Sequence, residues 1–129
     1  MTAVAARTVP SNVASSTAVS LSPAATAVDP LTAKRWVDDG EAILVDVREN
    51  DEFEMERIPG SVLAPKSAFD AARFPRAPGK KIVLVCLVGR RSVEVGEWLK
   101  AAGYPEPAYS LDGGILGWSA AGMPTFEAA

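Results

Sequence analysis

Lys80-Lys81-Ile82-Val83-Leu84-Val85-Cys86-Leu87-Val88-Gly89-Arg90-Arg91-Ser92 carries two different signals in one short stretch. Residues 82–85 are aliphatic and rich in β-branched side chains, which reads as a buried strand led in by two lysines. From Ser92 the pattern changes. Val95, Trp98, Leu99 and Ala102 recur at three-and-four spacing, one face of a helix that Gly103 stops. The single cysteine of the chain therefore stands at a strand-to-helix turn. First-turn N–H groups of a helix, joined to a short glycine-containing loop, form a concavity that favours negative charge. A thiol held there beside Arg90 and Arg91 has a lowered pKa and a larger thiolate fraction near neutral pH. The other reading of Cys86 is a small apolar residue closing a core strand, and the local sequence leaves both open.

Working outward, strands and helices alternate. Asp29-Pro30 reads as a helix start, a capping carboxylate followed by a proline whose missing N–H is harmless at the first position. Ala33, Trp36 and Val37 give that helix a buried face, from which Leu31 falls away, and Gly40 ends it. Residues 42–47 read as a buried strand. Asp46 and Arg48 lie at its C-terminal end, where open α/β sheets place their ligands. Asp46 is positioned there to hold an arginine of the cysteine loop, or equally to cap the strand end. The acidic stretch 48–57 reads as a solvated short helix. After the turn at Ile58-Pro59-Gly60 comes a short strand at residues 62–64. Ser67 and Asp70 then resemble a capping pair that opens a short helix through Ala72. Residues 107–111 form the last strand. Asp112-Gly113-Gly114 turns tightly into a helix over 115–121, with glycine permitting close backbone approach to the cysteine loop. Trp118 reads as core, as do Trp36 and Trp98 by helical period. Such alternation predicts an α/β fold: a mainly parallel sheet of five strands with helices on both faces and right-handed crossovers.

Composition excludes several function classes. With 129 residues the chain holds one domain of ordinary size. Hydrophobic content of 48% and charged content of 22% are those of a soluble globular protein. A net charge of −3 gives no reason to expect nucleic acid or a membrane surface as partner. The chain has no histidine and one cysteine, so no metal or haem site, no cofactor and no internal disulfide is expected. Acyl transfer by cysteine needs an imidazole to move protons, so that class is disfavoured too. Cys86 must act as a preformed thiolate.

The stretch Cys86-Leu87-Val88-Gly89-Arg90-Arg91-Ser92 resembles the active-site loop of single-domain rhodanese-like sulfurtransferases, whose pattern is close to Cys-x-x-Gly-x-Arg-Ser. Two further stretches carry the resemblance. One is Ile43-Leu44-Val45-Asp46-Val47-Arg48-Glu49 with Phe53 and Ile58-Pro59-Gly60, and the other is Leu111-Asp112-Gly113-Gly114-Ile115-Leu116-Gly117-Trp118 with Gly122-Met123-Pro124. The resemblance implies the same α/β architecture. It also implies an enzyme of thiosulfate sulfurtransferase type. Cys86 would take a sulfane sulfur from a small anionic donor such as thiosulfate and pass it from a persulfide to a thiol or other thiophilic acceptor. Leu87, Val88, Gly89, Arg90, Arg91 and Ser92 would line the donor site, Arg90 and Arg91 supplying positive charge, with Asp46 and Arg48 in support.

Two alternatives accompany that reading. Rhodanese-like domains also occur as non-catalytic binding modules, against which the retention of Cys86, Gly89, Arg91 and Ser92 argues. Cysteine-based phosphatases hold phosphate with an arginine six positions after the cysteine; here that position is Ser92, and the arginine comes one residue early at Arg91. Departures from the family pattern are Leu87, where a basic residue is common, and Glu56-Arg57 before the Ile-Pro-Gly turn.

Residues 1–28 are rich in Ala, Ser, Thr and Val, with Arg7 as their one charged side chain and no sustained period. They read as a disordered extension over 1–24, with the folded domain spanning 25–129 and some of 25–28 pairing at the sheet edge. A targeting peptide poor in acids is the other reading. The expected setting is a cytoplasmic monomer, since no uninterrupted apolar run marks a secretory signal or membrane span.

Overall fold

The structure, a computed structural model, describes residues 26–128; the expected extension over 1–24 lies outside them. Chain order is β1 (Thr26–Val28), α1 (Pro30–Asp38), β2 (Ala42–Asp46), α2 (Asn50–Met55), β3 (Glu56–Arg57), β4 (Val62–Leu63), β5 (Lys81–Val85), α3 (Arg90–Ala101), β6 (Ala108–Leu111), α4 (Gly114–Ala120) and β7 (Phe126–Glu127). Five strands form one sheet in the order β1-β6-β5-β2-β4, every pairing parallel. β5, buried from Ile82 to Val85, takes the centre.

Strand alternation sorts the core into two layers. Ala42, Leu44, Val83, Val85 and Leu111 face α1 and α4, where Ala33, Ile115 and Trp118 complete a buried cluster. Val45, Val47, Ile82, Leu84 and Cys86 face the other way, against Val95 and Leu99 of α3 and Phe74. Helices thus cover both faces, which is why Ala42–Val45 of β2 and Ile82–Val85 of β5 are unbroken aliphatic runs rather than alternating with polar residues. Asp29 caps α1 by accepting from the Thr32 N–H at 2.8 Å, as its Asp-Pro signature predicts. Thr26–Val28 pairs with Tyr109–Leu111 at the sheet edge.

Two expectations need correction. Trp98 is 41% exposed, because the buried stripe of α3 is Ser92, Val95, Gly96 and Leu99. The helix is rotated so that Ser92 reaches the sulfur of Cys86, which leaves Trp98 on the flank against Phe69, ring centroids 5.2 Å apart. The single helix expected from Ser67 through Ala72 is two 3₁₀ turns, Lys66–Ala68 and Ala71–Arg73. Asp70 caps the second by accepting from the Ala72 N–H, while the Ser67 hydroxyl donates to Glu49 at 2.6 Å. The sequence did not anticipate the pairing of β3 with β7, a two-residue antiparallel contact too short to leave a period.

Candidate active site

Cys86 follows the last residue of β5, and Gly89 provides the turn into α3. At φ +102° Gly89 has a left-handed conformation that an L side chain rarely adopts, and it folds its own N–H back onto the sulfur. The Gly89 N–H donates to Cys86 Sγ at 3.1 Å and the Ser92 N–H at 3.4 Å. The Ser92 hydroxyl lies 3.4 Å from the sulfur and 2.6 Å from the hydroxyl of Ser110 on β6. Burial raises the pKa of the thiol; the Ser92 hydroxyl and the N–H groups of Ser92, Gly89 and Arg91 outweigh it, so the net shift is downward. Of the two causes expected from the sequence, the N–H groups are among those that lower it, joined by the Ser92 hydroxyl, and arginine charge is not.

A cleft of about 440 Å³ opens beside the sulfur, lined by Cys86, Leu87, Val88, Arg90, Arg91 and Glu94. Cys86 itself is 1% exposed, at the foot of walls on which Leu87 and Val88 are 39% and 49% exposed. Arg90 stands exposed on the same wall. Arg91 is turned aside. Its Nη1 and Nη2 donate to the two carboxylate oxygens of Glu52 at 2.7 and 3.0 Å, and this pairing holds the Glu52 carboxyl at about 2.

The loop is fixed from the other side by the Asp-Gly-Gly turn. The Ile115 N–H donates to the Cys86 carbonyl at 2.8 Å and the Leu116 N–H to the Leu87 carbonyl at 3.3 Å. A Cβ on Gly114 would overlap the Leu87 carbonyl and lie 2.5 Å from the Cys86 oxygen, so only glycine lets the two backbones meet.

Asp46 and Arg48 do not join this cluster. Asp46 pairs in register with Val85, so its side chain faces the sheet layer opposite Leu84 and Cys86. It takes Arg48 instead of an arginine of the cysteine loop: Arg48 Nη2 donates to Asp46 Oδ2 at 2.9 Å and to the Glu56 carbonyl at 2.6 Å. Both side chains are buried, and they brace the turn that leads into α2, the helix from which Glu52 reaches Arg91. Sequence reasoning missed Glu52 and Ser110. Nothing in an acidic stretch separates one glutamate from its neighbours, whereas a lone hydroxyl inside a buried strand was a usable signal for Ser110.

The Rhodanese-like domain family model matches residues 29–121. The chain belongs to the rhodanese-like family. Among relatives of this rhodanese-like chain, an uncharacterized protein of Synechocystis sp. is 37% identical over 100 residues, covering 78% of this chain and 55% of that protein. Thiosulfate sulfurtransferase GlpE of Pseudoalteromonas translucida is 27% identical over 85 residues, covering 66% of this chain and 80% of that one. A crystal structure of thiosulfate sulfurtransferase from Pseudomonas aeruginosa superposes with a TM-score of 0.71 at 27% identity, covering 81% of this chain and 21% of that one. The rhodanese-like chain thus spans about half the length of the Synechocystis relative and a fifth of the Pseudomonas chain. Its parallel five-stranded sheet with flanking helices is the rhodanese-like architecture. Among the described residues no helix is long and apolar enough to cross a membrane.

Proposed function

We propose that this rhodanese-like chain is a sulfurtransferase that moves a sulfane sulfur, from a donor such as thiosulfate, to a thiophilic acceptor through a persulfide on Cys86. The observation that carries the reading is the set of donors converging on one sulfur: Gly89 N–H, Ser92 N–H and the Ser92 hydroxyl. A thiolate is the nucleophile in such chemistry, and these donors favour it over the thiol. The Cys86 thiolate attacks the outer sulfur of thiosulfate. That sulfur's bond to the central sulfur breaks, its electron pair leaves with sulfite, and Cys86 holds a persulfide anion. An acceptor thiolate then attacks the terminal sulfur and returns Cys86 to the thiolate. In the persulfide the charge moves to the outer sulfur, and Arg90 supplies positive charge at the cleft wall.

The pairing of Arg91 with Glu52 counts against phosphoryl transfer, which needs an arginine turned onto the phosphate oxygens. Two names among the relatives, both thiosulfate sulfurtransferases, support the choice of reaction class. The test is sulfite release from thiosulfate with dithiothreitol as acceptor. Wild type should turn over and Cys86→Ser should not. Equal rates in both, or none in wild type, would overturn the proposal, the second result favouring a binding module.

A further inference from the structure

Ser110 has no place in the sequence motifs, yet its hydroxyl sits two hydrogen bonds from the sulfur, directly behind Ser92. Register with Leu84 puts it on the sheet layer that carries Cys86, under α3. Ser92 and Ser110 are 0% and 2% exposed and 2.6 Å apart, so their hydroxyls are committed to each other rather than to bulk water. We infer that Ser110 is a positioning residue for Cys86: it donates its hydrogen to Ser92 Oγ and thereby aims the Ser92 hydroxyl hydrogen at the sulfur. The inference rests on Cys86 being the reacting thiol.

Hydrogen counting forces the direction. A thiolate only accepts, and each serine hydroxyl has one hydrogen to give. When Ser92 gives its hydrogen to the sulfur at 3.4 Å, the 2.6 Å contact with Ser110 is satisfied only by the hydrogen of Ser110. When Cys86 is protonated the chain runs the other way, with S–H donating to Ser92 and Ser92 to Ser110. On ionisation the thiol proton leaves to solvent, and the two hydroxyls keep theirs and rotate. Chained hydroxyls polarise one another, so the donor behind Ser92 strengthens its bond to the thiolate. The lowered pKa of Cys86, to which the Ser92 hydroxyl contributes, agrees with this.

Other charges around the sulfur are untouched by a change at Ser110. Arg90, Arg91 and Glu94 face the cleft from α3, and Arg91 is held by Glu52 of α2 with Glu49 nearby. Glu94 is paired with Lys66. Asp46 and Arg48, at the end of β2, form their own pair on the opposite layer.

The test is the rate of alkylation by iodoacetamide, a neutral reagent, against pH in wild type, Ser110→Ala, Ser110→Thr and Ser92→Ala, with melting temperature read alongside. Ser110→Ala should raise the midpoint by about half a unit, about a threefold loss of rate at a pH below both midpoints. Ser92→Ala should raise it further, and Ser110→Thr, which keeps the hydroxyl, should stay near wild type. A Ser110→Ala midpoint equal to wild type, whether or not the protein melts lower, would overturn the inference. Equal displacement in Ser110→Ala and Ser110→Thr would do so too, since packing would then explain it. Sulfur uptake by wild type is scored separately: its absence beside a shifted midpoint removes the sulfurtransferase reading and leaves the hydroxyl chain standing.

Discussion

Leu87 stands at the cleft wall, where its exposure of 39% excludes a core role and makes it a site for steering donors by charge. Leu87→Arg should improve kcat/KM for thiosulfate about fivefold, chiefly through KM, as a cation near a partly exposed anion site contributes about 1 kcal/mol and less at high salt. A neutral persulfide donor should gain little. Steady-state kinetics with both donors at two salt concentrations checks this, and equal losses for both with a lowered melting temperature would contradict it. At this scale the sequence placed Cys86 at a strand-to-helix turn, and the local backbone donors expected there, the N–H groups of Gly89 and Ser92, meet its sulfur. It did not disclose the contribution of the Ser92 hydroxyl or the fate of Arg91. Arg91 looks like a substrate cation until the fold brings Glu52, thirty-nine residues earlier, against it.

Among elements, the meeting of the Cys86 loop with the start of α4 is the tightest joint. Gly114 has φ +62°, and Gly114→Ala should cost at least ~2 kcal/mol through strain and overlap, while displacing the carbonyls of Cys86 and Leu87. A fall in denaturation midpoint together with slower Cys86 alkylation checks it; an unchanged stability would contradict the close approach. The joint between α2 and α3 is weaker and depends on pH. The Arg91 hydrogen bond puts Glu52 at about 2 in the folded state, below the ordinary carboxylate value of about 4.3. Stabilisation from the pair is therefore complete above that ordinary value and is lost as pH falls toward about 2. Both side chains are about 30% exposed, so screening by water limits it to about 1 kcal/mol. Denaturation of Glu52→Gln should show that loss at pH 7 and little of it near pH 2; an equal loss at both would contradict the linkage. Long elements were legible from period and caps, with Asp29-Pro30 and the aliphatic β2 and β5 the clearest. The phase of α3 was not, since Trp98 and Leu99 are adjacent and hydrophobicity alone cannot say which faces the sheet. Ser92, a polar residue, settles it by reaching the sulfur.

For the whole molecule, alternation of strands and helices was enough to predict the parallel sheet and its two covered faces, because parallel strands require crossovers and crossovers carry helices. Strand order was beyond it: nothing local says that β1 lies beside β6, as 80 residues of sequence separate Thr26–Val28 from Tyr109–Leu111 and the two segments meet only in the fold. β1 closes that edge from Thr26, so the proposed domain boundary at residue 25 predicts that removing residues 1–24 leaves the melting temperature and alkylation rate unchanged. A loss of several kcal/mol would move the boundary into the extension. Sulfur transfer by this chain requires that the cradle around Cys86 receive sulfur. Intact-mass spectra of wild type and Cys86→Ser after thiosulfate exposure, each before and after dithiothreitol, measure this directly. Wild type should gain the mass of one sulfur atom and lose it on reduction, with no gain in Cys86→Ser. An unchanged wild-type mass, or an equal gain in Cys86→Ser, would contradict the account.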